Sequence, residues 1–171
     1  MRRAVREGGR LLSLVALLVA LAVVAAGCGS GSASKKVASR STTTTTKPQT
    51  LAERYTTIVK GGNLELQQLS TKLNKANGNL VVIQKEFRAV SATYHQVATE
   101  VQALPFPATM SADVSAMTKA LGALVDDSTL GAKSVTLSEF DDVFNKLAAD
   151  QKAEVAANNT VNHDLGIASI S

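Results

Sequence analysis

The most regular hydrophobic pattern in the chain lies between residues 80 and 104. Large apolar or aromatic side chains recur there at alternating intervals of three and four residues, and Pro105 and Pro107 follow directly. That spacing places every member on one face of an α-helix, and a proline cannot continue the helix. The pattern therefore predicts a helix that buries one face and ends before Pro105. The positions are Leu80, Ile83, Phe87, Val90, Tyr94, Val97, Val101 and Leu104.

Three other segments beyond residue 49 carry apolar side chains at the same helical spacing, and they begin near residues 50, 110 and 136. In the first and the last, Thr50 and Thr136 are followed three residues later by Glu53 and Glu139, which is the pattern of a capping box. The links between the four segments are short, and short links favour antiparallel neighbours. We therefore predict an all-α domain over residues 50–171. It should fold as an antiparallel up-down-up-down four-helix bundle with both of its ends at one side.

The apolar face of the fourth predicted helix turns polar beyond Ala148, and the first helix carries two amides beside its own apolar face. Antiparallel packing of these two helices would bring the amides together, and buried amides need hydrogen-bond partners. The predicted cluster comprises Asn63, Gln67, Gln151, Asn158 and Asn162. Two interpretations stay open: the amides pair with one another and set the register of the helices, or they line a small polar cavity for a ligand.

The first 27 residues have the layout of an export signal. Four arginines lie among the first ten residues, and the apolar run Leu11–Ala26 is interrupted only by Ser13. This run is shorter than the roughly 20 residues that a transmembrane helix needs. The segment Ala25-Ala26-Gly27-Cys28 then resembles the lipobox of bacterial lipoproteins. We predict a lipoprotein signal peptide over residues 1–27, cleaved between Gly27 and Cys28, and a diacylglyceryl group on the Cys28 thiol.

Residues 28–49 are rich in serine, threonine and glycine, and Val37 is their only large aliphatic residue. Such a segment cannot bury enough apolar surface to offset the entropy that ordering it would cost. The sequence therefore predicts that the lipidated Cys28 and the residues after it form a flexible tether to the folded domain.

The net charge of +4 is unevenly distributed. The excess of positive charge belongs to residues 1–49, whereas residues 50–171 carry 10 basic and 13 acidic side chains. A domain that binds nucleic acid needs a clustered basic face, which this composition argues against. The single cysteine can form neither an internal disulfide nor a zinc cluster.

The histidines do not form a known metal motif. A di-iron or di-manganese bundle needs Glu-x-x-His on two helices, but Ala92 precedes His95 by three residues and Thr160 precedes His163. The antiparallel bundle would also keep these two histidines far apart. We therefore expect no metal and no cofactor.

Nucleophilic and acid–base catalysis lack a signature as well. Residues 50–171 contain no Gly-x-Ser-x-Gly elbow, and acylation would occupy Cys28. The acidic pairs Asp126-Asp127 and Asp141-Asp142 lie near predicted helix ends, and we expect them to be solvated, with no apolar surroundings to raise a pKa. The sequence predicts no catalytic residues and a protein that is not an enzyme.

In its full layout the chain resembles a group of small helical lipoproteins that many actinobacterial genomes encode. These combine a lipobox and a Thr/Ser-rich spacer with short recurring phrases in the helical domain. The resemblance implies a helical extracytoplasmic domain in a Gram-positive host, and it brings no activity. The residues that carry it are Tyr55 and Asn63, Leu104-Pro105-Phe106-Pro107, Ala112-Asp113-Val114, Leu137-Ser138-Glu139-Phe140, Asn159, and Asp164-Leu165-Gly166.

The expected function is that of a membrane-anchored extracytoplasmic lipoprotein, held at the cell membrane by its N-terminal lipid. Its bundle would act as a non-enzymatic protein-binding or structural module for a partner protein of the cell envelope. The alternative is a carrier that holds an apolar or amphipathic small ligand between the helices. A carrier needs a continuous internal cavity of several hundred Å³, whereas a partner-binding bundle should be filled and show an exposed apolar patch.

Overall fold

The computed structural model describes residues 48–167, and four α-helices occupy most of that range. A single 3₁₀ turn, Ala108–Met110, precedes the third helix, and no strand occurs between residues 48 and 167. This architecture confirms the predicted all-α four-helix bundle. The predicted signal peptide, Gly27, Cys28 and the tether up to residue 47 lie outside the described residues. The helices are α1 (Leu51–Lys75), α2 (Leu80–Gln102), α3 (Ser111–Gly131) and α4 (Leu137–Asp164).

Local hydrogen bonds define where the helices begin. Both predicted capping boxes are present: the Glu53 backbone N–H donates to Thr50 Oγ1 at 3.2 Å, and the Glu139 backbone N–H donates to Thr136 Oγ1 at the same distance. The Asn79 side chain accepts from the first backbone N–H groups of α2. Each bond satisfies donors that a helix start otherwise leaves free.

Consecutive helices pack closely, so that α1 lies against α2, α2 against α3 and α3 against α4. The backbones of α1 and α4 approach each other much less closely than any of these pairs. Because the helices alternate in direction, the links 76–79 and 132–136 share one end of the bundle, which we call the apex. Residue 50, the link 103–110 and the end of α4 share the opposite end, which we call the base. The tether would therefore join the domain at the base.

An aromatic cluster fills the apical half of the core. The Phe87 ring stacks on Phe140 with centroids 5.6 Å apart and meets the edge of Phe144 at 5.4 Å. Gly131 allows this arrangement, because a Cβ atom there would lie 2.5 Å from the Phe87 ring. The predicted apolar face of α2 thus lies at the centre of the core.

None of the helices between residues 48 and 167 is both long and apolar enough to cross a membrane.

Candidate functional site

The structure buries most of the amide cluster that the sequence predicts between the first and the last helix. Asn63 on α1 is buried, and so are Gln151, Asn158 and Asn162 on α4. The expectation for Gln67 is wrong, because this side chain is exposed. Leu66 occupies the inward position at that level of α1, and one residue further along a helix the side chain turns by about 100°.

A hydrogen bond between the first and last helices sits near the base. Tyr55 Oη of α1 lies 2.6 Å from Asn158 Oδ1 of α4, to which it donates, and 2.9 Å from Met117 Sδ of α3. All three side chains are buried. The tyrosine therefore links three helices through its hydroxyl group, although the backbones of α1 and α4 are not close.

Glu154 of α4 is a buried residue that the helical pattern of the sequence does not single out. It lies on the same face of α4 as Gln151 and Asn158, three residues after the first and four before the second. The side chain is completely buried, and neither carboxyl oxygen has a hydrogen-bond partner. Burial raises the pKa of Glu154 to about 8, so the folded protein holds a proton on this carboxyl at neutral pH.

Two tyrosines lie close enough to Glu154 to respond to its charge. Burial raises the pKa of Tyr55 and of Tyr94 far above the ordinary range, and the negative charge of Glu154 raises both further. Two phenol groups that stay neutral, one from α1 and one from α2, therefore lie within electrostatic range of Glu154. We call this region the polar seam, and its members are Tyr55, Asn63, Tyr94, Gln151, Glu154, Asn158 and Asn162.

Asn63 stands in the polar seam without a partner. Only 7% of this residue is exposed, and neither its amide nitrogen nor its amide oxygen makes a hydrogen bond. Pairing between amides, which the register interpretation requires, is therefore absent at this position. In two side chains of the polar seam, Asn63 on α1 and Glu154 on α4, both side-chain polar atoms are buried and lack a partner.

One of the acidic pairs also departs from expectation. Asp126 is exposed, but Asp127 is completely buried and forms an ion pair with Lys146 of α4. The pKa of Asp127 is raised, mainly by burial, while the hydrogen bond to Lys146 opposes that increase. The prediction of solvated pairs is wrong for Asp127, because α3 continues to Gly131 and carries this residue on the face that meets α4.

The part of the chain that the structure describes contains no group of three or more histidine, cysteine, aspartate or glutamate side chains suited to a metal ion. Both histidines are exposed, and His163 lies 3.3 Å from the carboxylate of Asp164. A surface groove lies beside the start of α1. Residues between Pro48 and Lys60 line it, and Tyr55 and the other polar-seam residues are not among them.

Exposed apolar side chains are concentrated at the apex. Five large hydrophobic residues in the described range are exposed, and four of them lie in the first turn of α2, the last turn of α3, the link after it or the first turn of α4. A hydrogen bond of 2.8 Å from Gln84 Nε2 to the Ser134 carbonyl oxygen ties α2 to that link. We call the four residues the apical patch: Val81, Leu130, Val135 and Leu137.

Comparisons with known proteins find no match for this chain. No protein-family model matches it, and neither a curated protein nor a solved structure does.

Proposed function

We propose that this chain is a lipoprotein of the extracytoplasmic membrane face whose bundle binds a protein of the cell envelope through the apical patch. The observation that carries the proposal is the concentration of four of the five exposed large hydrophobic residues at the apex. Exposed apolar groups that cluster, unlike single scattered ones, are typical of interaction surfaces. Such a role requires no catalytic group.

The position of the patch relative to the tether favours a protein partner over the membrane itself. Residue 50 lies at the base, and the 28 residues of α4 extend about 42 Å from there to the apex. The apical patch therefore lies at the end of the bundle opposite to the one that the chain from Cys28 would join.

The N-terminal sequence supports the proposed location at the extracytoplasmic face of the membrane. An arginine-rich start, a short apolar run and the sequence Ala25-Ala26-Gly27-Cys28 together have the layout that export and lipidation require. A lipid anchor raises the local concentration of the bundle at the membrane, so that an apical patch of modest affinity can bind a partner protein of the same cell envelope.

Site-specific photo-crosslinking in intact cells tests the proposal. A photoreactive residue at position 135 lies within the apical patch, and one at position 64 replaces Leu64, which is 59% exposed but lies midway along α1. We expect a discrete crosslinked product from position 135 only, and we expect Val81→Glu in the same chain to abolish it. Equal products from both positions, or none from position 135, would contradict the proposal.

A further inference from the structure

The first of the two helical hairpins exposes only positive charge at the apex. Residues 72–88 comprise the end of α1, the link after it and the start of α2. They carry four exposed cationic side chains, and their single acidic residue, Glu86, is buried. We call these residues the basic half of the apex, with an exposed formal charge of +4. The four cations are Lys72, Lys75, Lys85 and Arg88.

The second hairpin exposes mainly negative charge at the same end. Residues 126–142 comprise the end of α3, the link after it and the start of α4. They expose four carboxylates and one lysine, Lys133, whereas Asp127 is buried and paired with Lys146. We call these residues the acidic half of the apex, with an exposed formal charge of −3. The four carboxylates belong to Asp126, Glu139, Asp141 and Asp142.

The two halves adjoin, and both contribute to the apical patch. Helix α2 packs against α3, and the 2.8 Å hydrogen bond from Gln84 Nε2 to the Ser134 carbonyl oxygen joins the basic half to the acidic half. Val81 belongs to the basic half, and the other three members of the patch belong to the acidic half. Each half therefore exposes apolar side chains among charges of its own sign.

This charge pattern restricts the partners that the apical patch can accept. A surface of uniform charge, such as an anionic membrane or a nucleic acid, would attract one half and repel the other. A surface that attracts both halves must itself carry a basic and an acidic half beside apolar groups. A second copy of this chain has that pattern: a two-fold axis between the halves brings each basic half to the acidic half of the other copy. The same rotation brings Val81 of each copy towards the apolar residues of the other.

We propose that the apical patch and the charges around it form a two-fold symmetric interface between two copies of this chain, which pair apex to apex. This inference rests on the proposed function and names the partner of the apical patch. The two bases then lie at opposite ends of the pair, so the chain that enters at residue 50 does not cross the interface. The apolar residues supply the contact, and the opposite charges select the partner and fix its orientation.

Photo-crosslinking between two differently tagged copies in intact cells tests the pairing. Two full-length chains with different C-terminal epitope tags are co-expressed, each with a photoreactive residue at position 135. The tag follows α4, which ends at the base, and so leaves the apex unchanged. We expect a crosslinked product that contains both tags and migrates as a dimer. Position 64, midway along α1, is the matched control and should give no such product.

Reversal of the exposed charges assigns the pairing to the two halves. One triple variant replaces three lysines of the basic half by glutamate, which changes its exposed charge from +4 to −2 and leaves both halves negative. The other replaces three aspartates of the acidic half by lysine, which changes its exposed charge from −3 to +3 and leaves both halves positive. The replaced residues are Lys72, Lys75 and Lys85 in the first variant, and Asp126, Asp141 and Asp142 in the second.

Each triple variant should pair poorly with itself and well with the other. Because like charges then face each other, the yield of the doubly tagged product from two copies of one variant should fall roughly tenfold. Co-expression of the two variants should restore the yield, because opposite charges again meet in both contacts. A third triple variant controls for the change in net charge and should pair as the original chain does. It replaces by glutamate three exposed lysines that lie about midway along their helices, Lys60, Lys119 and Lys152.

The outcomes separate this pairing from the proposed function. A product from position 135 that joins the chain to a different protein, with no doubly tagged product, would overturn the pairing and leave the proposed function intact. The absence of any product from position 135 would overturn both. The pairing is also overturned if the two reversal variants crosslink no better with each other than each does with itself. Circular dichroism verifies that the variants are folded, and the two-tag measurement on the original charges decides the question without them.

Discussion

Replacement of Glu154 by glutamine should make the fold more stable at neutral and alkaline pH. In the folded chain this carboxyl is fully buried without a hydrogen-bond partner, and its pKa is raised from 4.5 to about 8. The folded state therefore binds the proton more tightly than the unfolded chain does. The stabilisation that comes from this proton is complete below about pH 4.5 and is lost as the pH rises towards 8. Glutamine has nearly the same shape and cannot ionise.

The size of the effect follows from the pKa difference. A pKa that rises from 4.5 to about 8 corresponds to a loss of about 5 kcal/mol of unfolding free energy once the pH exceeds both values. At pH 7 the same relation gives about 3 kcal/mol, and at pH 5 less than about 1 kcal/mol. These figures are large beside the about 5–15 kcal/mol that stabilise a typical domain.

Urea denaturation followed by circular dichroism at pH 5, 6, 7 and 8 measures this effect. We expect Glu154→Gln to gain about 3–4 kcal/mol over the original chain between pH 5 and pH 8, at similar dependence on urea. Asp127 also has a raised pKa, but its contribution is the same in both proteins and cancels in the difference. Glu65→Gln, which changes an exposed carboxylate, should follow the original chain at every pH.

Stabilities of the original chain and of Glu154→Gln that change in parallel with pH would refute the raised pKa of Glu154. Parallel curves would mean that Glu154 has the same proton affinity in the folded and the unfolded chain, as a solvated carboxylate would. A Glu154→Gln protein that is less stable at pH 8 would likewise contradict burial without a partner.

Three further predictions concern the core, the seam and the anchor. Phe87→Ala should lower the unfolding free energy by about 3–5 kcal/mol in a urea titration, because it empties the centre of the aromatic cluster. Deletion of residues 29–46, in contrast, should leave the melting temperature of the domain unchanged. Gln151→Leu should be neutral or stabilising in thermal unfolding, because it exchanges a buried amide for an apolar side chain of similar size, and a loss above about 2 kcal/mol would indicate an essential hydrogen bond. Cys28→Ser should abolish lipidation, and mass spectrometry of the original mature chain should find a diacylglyceryl-modified Cys28 at its N-terminus; a mature chain that begins elsewhere would contradict the lipobox prediction.

The helices and their ends follow from interactions between residues that are only a few positions apart in the sequence. The intervals of three and four residues in α2 predict both its existence and its buried face, and the structure buries most of that face. The capping boxes at Thr50 and Thr136 form as predicted, because a side-chain oxygen at the start of a helix reaches a backbone N–H three residues on. Both signals need no knowledge of the neighbouring helix.

The contents of the polar seam were only partly predictable, because a helical face does not repeat at a whole number of residues. Beyond Gln151 the next inward position of α4 is either residue 154 or residue 155, and periodicity alone cannot choose between them. Polarity favours Val155 as the inward residue, but packing against the other helices buries Glu154 completely and leaves Val155 half-buried. The spacing of three and four residues from Gln151 and Asn158 was the available signal.

The sequence by itself determined the number of helices, the caps of α1 and α4, the end of α2 before Pro105 and the segment in which an export signal would lie. Only the tertiary structure decided which polar groups lose contact with water. Asp127 and Glu154 are buried while Gln67 is exposed, because burial depends on how each helix is rotated against its neighbours. Each helix takes the rotation at which all four apolar faces pack together. The free energy gained by burying these faces exceeds the cost of burying an unpartnered carboxyl.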